Sequence, residues 1–197
     1  MKKFSLLLAI LPFLVACGNQ ATPKETSAQK TIVLATAGDV PPFDYEDKGN
    51  LTGFDIEVLK AVDEKLSDYE IQFQRTAWES IFPGLDSGHY QAAANNLSYT
   101  KERAEKYLYS LPISNNPLVF DKVSVQKIIK DRGLDLSVVD LPSADSPSNY
   151  IIFSSDQKEF KEQFDKALKE LYQDGTLEKL SNTYLGGSYL PDQSQLQ

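Results

Sequence analysis

Thr31 to Ala37 reads Thr-Ile-Val-Leu-Ala-Thr-Ala, seven residues without a charge, halted by Gly38. A run this short and apolar is a buried strand, and a buried strand needs cover on its faces. The cover is supplied downstream. Gly53-Phe54-Asp55 opens a predicted helix with Ile56, Leu59, Val62 and Leu66 on one stripe and Asp55 near its N-cap. Glu70 to Arg75 alternates as a strand, and Ala77 to Leu85 is a second predicted helix, with Trp78, Ile81, Phe82 and Leu85 at helical spacing and Pro83 tolerated near its start. Gly88 ends that helix, and Tyr90 to Asn95 is the next predicted strand. Asp39 to Asp47, with two prolines and two aromatics, reads as a loop. Strands alternating with helices predict α/β layers around a mainly parallel sheet.

Asn95 to Arg103 then reads Asn-Asn-Leu-Ser-Tyr-Thr-Lys-Glu-Arg, a polar turn leading into a charged helix with Thr100 as N-cap. Free amides and the positive end of a helix suit an anion, and Arg103 adds a planar fork that grips a carboxylate at two points. An ordinary cap beside one solvated arginine has the same spelling.

Further on, Tyr107 to Ile113 reads as extended, Val119-Phe120 as a short strand, Val123 to Asp131 as a helix with Gly133 behind it, and Leu136 to Leu141 as a strand. Pro142 to Asn149 is a Ser/Pro-rich crossing, Tyr150 to Phe153 a last strand. Two helices finish the fold: Lys158 to Tyr172, with Phe160, Phe164, Leu168 and Leu171 on one face, and a second from about Thr176, stopped by Gly186-Gly187.

The net charge of −8 argues against nucleic acid as a partner. At the N-terminus, Lys2 and Lys3 precede an apolar run, Leu6 to Val15, too short to span a bilayer and typical of a signal peptide. It ends Leu14-Val15-Ala16-Cys17-Gly18, which resembles the lipobox of bacterial lipoproteins. The resemblance implies cleavage before Cys17 and a lipid on its sulfur, hence an anchor to the membrane on the extracellular face, at a Gram-positive surface. Residues 19–30 carry almost nothing apolar and read as a tether. Cys17 is the single cysteine, so no internal disulfide forms. His89 follows Gly88 in a loop, and no metal-ligand pattern or cofactor is read.

Four segments together resemble one family. They are Pro41-Pro42-Phe43 with Leu51-Thr52-Gly53-Phe54-Asp55-Ile56; Trp78 through Leu85 with Gly88; Leu97-Ser98-Tyr99-Thr100-Lys101-Glu102-Arg103 with Tyr109 to Ile113; and Lys166-Ala167-Leu168 with Asp174 to Leu180 and Tyr184-Leu185-Gly186. On these the chain is identified as a member of the type II periplasmic-binding-protein-like receptors of amino-acid ABC importers (solute-binding protein family 3). The resemblance implies an extracytoplasmic lipoprotein that binds a polar amino acid, cystine among the candidates, and delivers it to a permease and its ATPase. It is a binding protein and not an enzyme: some relatives of the fold are dehydratases, but the motif offers Arg, Ser and Asn and no poised acid or base. The implied roles are Arg103 and the Ser98 amide for the α-carboxylate, the Ser98 hydroxyl, the Asn96 carbonyl and Asp121 for the α-ammonium, Phe43 and Trp78 as walls, and Asp39 at the ligand side chain.

The resemblance implies two lobes, of which this chain has one and a fraction. Residues 31–115 and 150–190 supply a near-complete lobe 1, with 191–197 as tail. Residues 116–149 are a residual lobe 2 fragment, against roughly a hundred residues for a free-standing lobe. Its Gly-Thr loop is missing, and Asn116-Pro117-Leu118-Val119 joins what resembles a first strand to a much later one. An internal deletion near Leu118-Val119 is the expectation, and a surface lipoprotein remnant with little or no solute binding is the alternative reading of function.

Overall fold

The computed structural model describes residues 29–115, 126, 129–133, 135 and 148–196. The chain forms β1 (Lys30–Thr36), β2 (Asp39–Val40), β3 (Asp44–Asp47), β4 (Asn50–Thr52), α1 (Phe54–Asp63), β5 (Tyr69–Arg75), α2 (Trp78–Asp86), β6 (Ala92–Ser98), α3 (Lys101–Ala104), β7 (Tyr107–Tyr109) and β8 (Ser114–Asn115). It resumes with β9 (Ser148–Ser154), α4 (Lys158–Gln173) and α5 (Thr176–Leu180), then a π-turn at Ser181–Leu185 and a 3-10 turn at Gln193–Leu196. The segment read as a signal peptide, Cys17, the predicted strands at Val119-Phe120 and Leu136 to Leu141 and most of the predicted helix between them lie outside the described residues. Residues 129–132 are helical and Gly133 follows them at φ +60°, as a C′ glycine should.

The main sheet has the order β5-β1-β6-β9-β7, with β8 also on β9. β1 is parallel to both β5 and β6, whereas β6, β7 and β8 all run antiparallel to β9. The sheet is therefore mixed, a correction to the mainly parallel expectation; only its β5-β1-β6 half is parallel. Strand alternation sorts the core into two. Ile32 and Leu34 of β1, Ala92 and Ala94 of β6, and Ile151 and Phe153 of β9 face α1, α4 and α5. On the opposite face Ala35, Ala93, Leu97 and Ile152 meet Ile81 and Leu85 of α2.

The predicted stripe of α1 is buried at Ile56, Leu59 and Val62, and Asp55 is buried with them. Pro83 lies inside α2, not near its start. The proposed loop at Asp39 to Asp47 is instead most of a three-stranded antiparallel sheet, β2-β3-β4, set against α1. Gly53 fixes that junction: at φ +120° a Cβ would stand 2.3 Å from the Phe43 carbonyl oxygen, so only glycine fits.

β8 and the start of β9 form a neck. Ser114 pairs with Asn149 and Asn115 with Ser148, so Asn115 and Ser148 lie side by side. The C-terminal segment ties this neck down. Tyr189 O accepts from the Asn115 amide at 2.7 Å, Gln195 Oε1 accepts from Asn115 Nδ2 at 2.8 Å, and the Ser148 hydroxyl donates to Asn115 Oδ1 at 2.8 Å.

Candidate functional site

The chain crosses from β1 through α1 to β5 on one side, then through α2 to β6 on the other. Strand order therefore reverses at β1, and the crevice outside the carboxyl ends of β1 and β6 is where a sheet of this kind binds ligands. Asn95 closes it from within, accepting the Ala37 amide on its Oδ1 at 2.9 Å. Asn96 follows at φ +48°, where the β6–β9 register shifts between Ala93 and Leu97. A non-glycine residue in that conformation marks local strain held by its surroundings.

What holds Asn96 is Asp55. The carboxylate is fully buried, accepting from the Asn96 amide on Oδ2 at 2.8 Å and from Asn149 Nδ2 on Oδ1 at 2.7 Å. Burial pushes this carboxyl up to about 6, against the opposing pull of those two hydrogen bonds. Asp44 is fully buried nearby, its Oδ2 receiving the Thr36 hydroxyl at 2.7 Å and its Oδ1 without a hydrogen-bond partner among the described residues. Burial, reinforced by the charge of Asp55, pushes it up to about 8, so Asp44 is neutral at pH 7.

Beyond Asn96 the predicted cap forms as read: Thr100 accepts the Arg103 amide on its hydroxyl at 3.2 Å, although α3 is only four residues long. Arg103 is half-buried. Its Nη1 reaches Ser98 O at 3.4 Å, and its guanidinium lies 4.8 Å from the Phe82 ring centre and 6.0 Å from that of Trp78. Trp78 in turn meets Phe82 edge-on at 5.6 Å. An open groove of about 510 Å³ runs past these rings, with Asp86, Thr100, Glu102, Lys106 and Tyr107 also on its walls. Stacking on rings leaves a guanidinium's in-plane donors available to an anion. Among the described residues no carboxylate is ion-paired with Arg103.

The structure thus brings Arg103, Ser98 and Trp78 together, with Ser98 exposed and Trp78 39% exposed. Asn96 is two residues away from Ser98 on the same strand, and Asp39 is exposed at the start of β2, just past β1, paired with Tyr45 across β2–β3. Phe43 is fully buried in the larger core cluster. Its carbonyl accepts from the Asp55 amide at 2.9 Å, which ties the small sheet to the start of α1. Asp121 lies outside the described residues. Phe82, under Arg103, and Asp55 and Asn149 behind Asn96 were not among the expected site residues. Asp55 had a signal: it stands four residues before Leu59 and seven before Val62, a charge on the apolar stripe of α1. Among the described residues no group of acidic, His or Cys side chains is arranged to hold a metal ion, and no helix is long and apolar enough to cross a membrane.

The chain resembles proteins of known fold and name. A solved structure from work on glutathione import in Gram-positive bacteria, via GshT and the cystine ABC importer TcyBC of Streptococcus mutans, superposes with a TM-score of 0.78. It is 40% identical, over 85% of this chain and 100% of that one. The L-cystine-binding protein TcyJ of Bacillus subtilis is 30% identical over 119 residues, 59% of this chain and 44% of the relative. TcyK, another L-cystine-binding protein of that organism, is 23% identical over 261 aligned positions covering 96% of this chain and 97% of the relative. The chain spans 32% to 52% of the length of the first curated relatives it matches. By their names these relatives are binding proteins, not enzymes. Residues 32–187 match the family described as bacterial extracellular solute-binding proteins, family 3, and the fold is that of the type II periplasmic-binding-protein-like amino-acid receptors. The chain belongs to that solute-binding family.

Proposed function

We propose that the chain is the lipid-anchored, extracytoplasmic receptor of an ABC importer, holding the α-carboxylate of an amino acid or small peptide on Arg103 and the Ser98 amide. The observation that carries this reading is the Arg103 guanidinium, stacked on Phe82 and close to Trp78, with no carboxylate bound to it among the described residues. Asn96 and Asp121 would take the ammonium. Cystine and glutathione are the first ligands to test, since the relatives named above concern their binding or import. The anchor is the lipid on Cys17, and the permease and its ATPase are the partners.

The test is a thermal-shift titration of the chain from residue 18 with L-cystine, glutathione and the common amino acids. A hydrogen bond to a charged group contributes about 1.5–3 kcal/mol. Arg103→Ala, losing two of them, should weaken binding by about a hundredfold or more. A shift unchanged in Arg103→Ala sinks the assignment. For the anchor, Cys17→Ser should release the protein from membranes into the medium.

A second reading has its own support. The alignment with TcyK runs over more positions than the 197 residues this chain has, so the relative carries segments this chain lacks. With an internal deletion behind the neck, two or three bonds to the ligand would be lost, weakening binding by roughly 10³-fold. A surface lipoprotein that binds no solute is the outcome if no ligand shifts the wild type at millimolar concentration.

A further inference from the structure

We propose that Asp55 is a positioning residue for this site, coupling the ligand turn to the returning strand of the neck. The inference rests on reading Asn96 to Arg103 as the ligand turn. A buried carboxylate has two oxygens to satisfy, and here each is given to a different strand: Oδ2 to the amide of Asn96 on β6, Oδ1 to the side chain of Asn149 on β9. Neither partner is on the helix that carries Asp55.

The Asn96 bond matters because of where Asn96 sits. Asn96 lies inside the register shift, between the paired residues Ala93 and Leu97, and there its amide donates to Asp55 Oδ2. With that amide fixed, the peptide planes that aim the Asn96 carbonyl and lead on to Ser98 are fixed as well. The Asn149 bond matters because Asn149 stands at the base of the neck, paired with Ser98 on β6 and with Ser114 on β8. A shift of the neck strand therefore pulls on the same carboxylate that shapes the ligand turn. An acid in the first turn of α1 is also favoured by the helix dipole, but that role needs neither Asn96 nor Asn149.

The two roles separate by experiment. Asp55→Asn keeps the shape but turns one acceptor into a donor, so it faces either the Asn96 amide or Asn149 Nδ2 donor to donor. Combining it with Asn149→Asp restores complementarity: the new amide oxygen accepts from Asn96 while its NH2 donates to the carboxylate at position 149. Hydrogen exchange at the Asn96 amide should accelerate at least tenfold in Asp55→Asn and return to within threefold of wild type in the double variant. Binding of L-cystine or glutathione, whichever the wild type takes, should weaken at least tenfold and recover in parallel. Asn149→Ala, which leaves Asp55 in place, should accelerate Asn96 exchange at least threefold from a neighbouring strand. It stands in if the single Asp55 variant fails to fold.

Unchanged exchange at Asn96 in Asp55→Asn, or a double variant no better than the single, overturns the coupling. If the wild type binds neither probe, the receptor reading fails, and the exchange measurements still decide whether Asp55 sets Asn96.

Discussion

Replacing Asp44 by asparagine isolates the electrostatic cost that the small sheet imposes on the fold. In the native state Asp44 holds its proton up to about pH 8 and Asp55 up to about pH 6. In the unfolded chain both titrate near 3.9. A raised carboxyl pKa means that the folded state binds more protons than the unfolded state between the two values, so stability falls as pH rises through that window. The slope is about 1.4 kcal/mol per pH unit for each such proton. Of these two, Asp44 alone contributes between pH 8 and 6 and both contribute between pH 6 and about 4, where Asp63, also raised by burial, adds in the same direction. Taking pH 8 to 5, the upper bound for Asp44 and Asp55 is on the order of 5 kcal/mol gained on acidification. Half of that would remain a large fraction of a domain's stability. Asp174, held low by its hydrogen bonds to Thr176 and Lys65, works in the opposite direction below its usual range. The assay is urea unfolding at pH 8, 7, 6 and 5, with the midpoint read at constant m. Wild type should be more stable at pH 6 than at pH 8, and Asp44→Asn should flatten the limb between pH 8 and 6 while keeping the limb below 6. A wild type that loses stability from pH 8 to 6, or a variant with the same slope there, refutes the reasoning.

Thr100→Ala removes the one side-chain cap of α3 and should cost about 1 kcal/mol by urea unfolding. It should also loosen Arg103, whose amide is the capped donor, so ligand affinity should fall more than in a Thr100→Ser control. Gly53→Ala meets the Phe43 carbonyl oxygen at a distance no carbon tolerates and forces a φ of +120° on alanine. The small sheet must shift, and a melting temperature lowered by several degrees is the expected readout.

Legibility followed the strength of each local signal. The stripe of α1, the faces of α4 and the Thr100 cap were readable because each is a contiguous pattern of 3.6-residue or capping chemistry. β2 to β4 escaped because strands of two to four residues are too short to show a period, and the prolines at 41 and 42 advertise a loop. The direction of β9 is set by where the chain re-emerges at the neck, a relation between Asn115 and Ser148 that no window of sequence contains. In the site, the turn from Ser98 to Arg103 was spelled out locally. Phe43 was not: an aromatic residue by itself is more often core than ligand wall, and its full burial is visible only in the fold. Asp55 was visible as a charge on an apolar stripe, but its two acceptor bonds join segments 41 and 94 positions away.

The neck also bears on the proposed shortening of the segment between β8 and β9. These two strands are tied to each other, and Asn115 is tied to Tyr189 and Gln195, all among the described residues. The two ends of the segment between 115 and 148 are therefore held from within the described residues. Closing a loop costs about (3/2)RT ln n, so going from roughly a hundred residues to about thirty changes that cost by only ~1 kcal/mol, in the favourable direction. Among the described residues, Leu34, Phe153 and Phe164 belong to one core cluster. A shortened segment should thus leave stability nearly intact while removing groups that face Arg103. Selection on folding alone would not notice the loss; ligand binding would. The melting temperature of the chain and its affinity for cystine or glutathione are for this reason independent measurements, and only the second bears on what the protein does now.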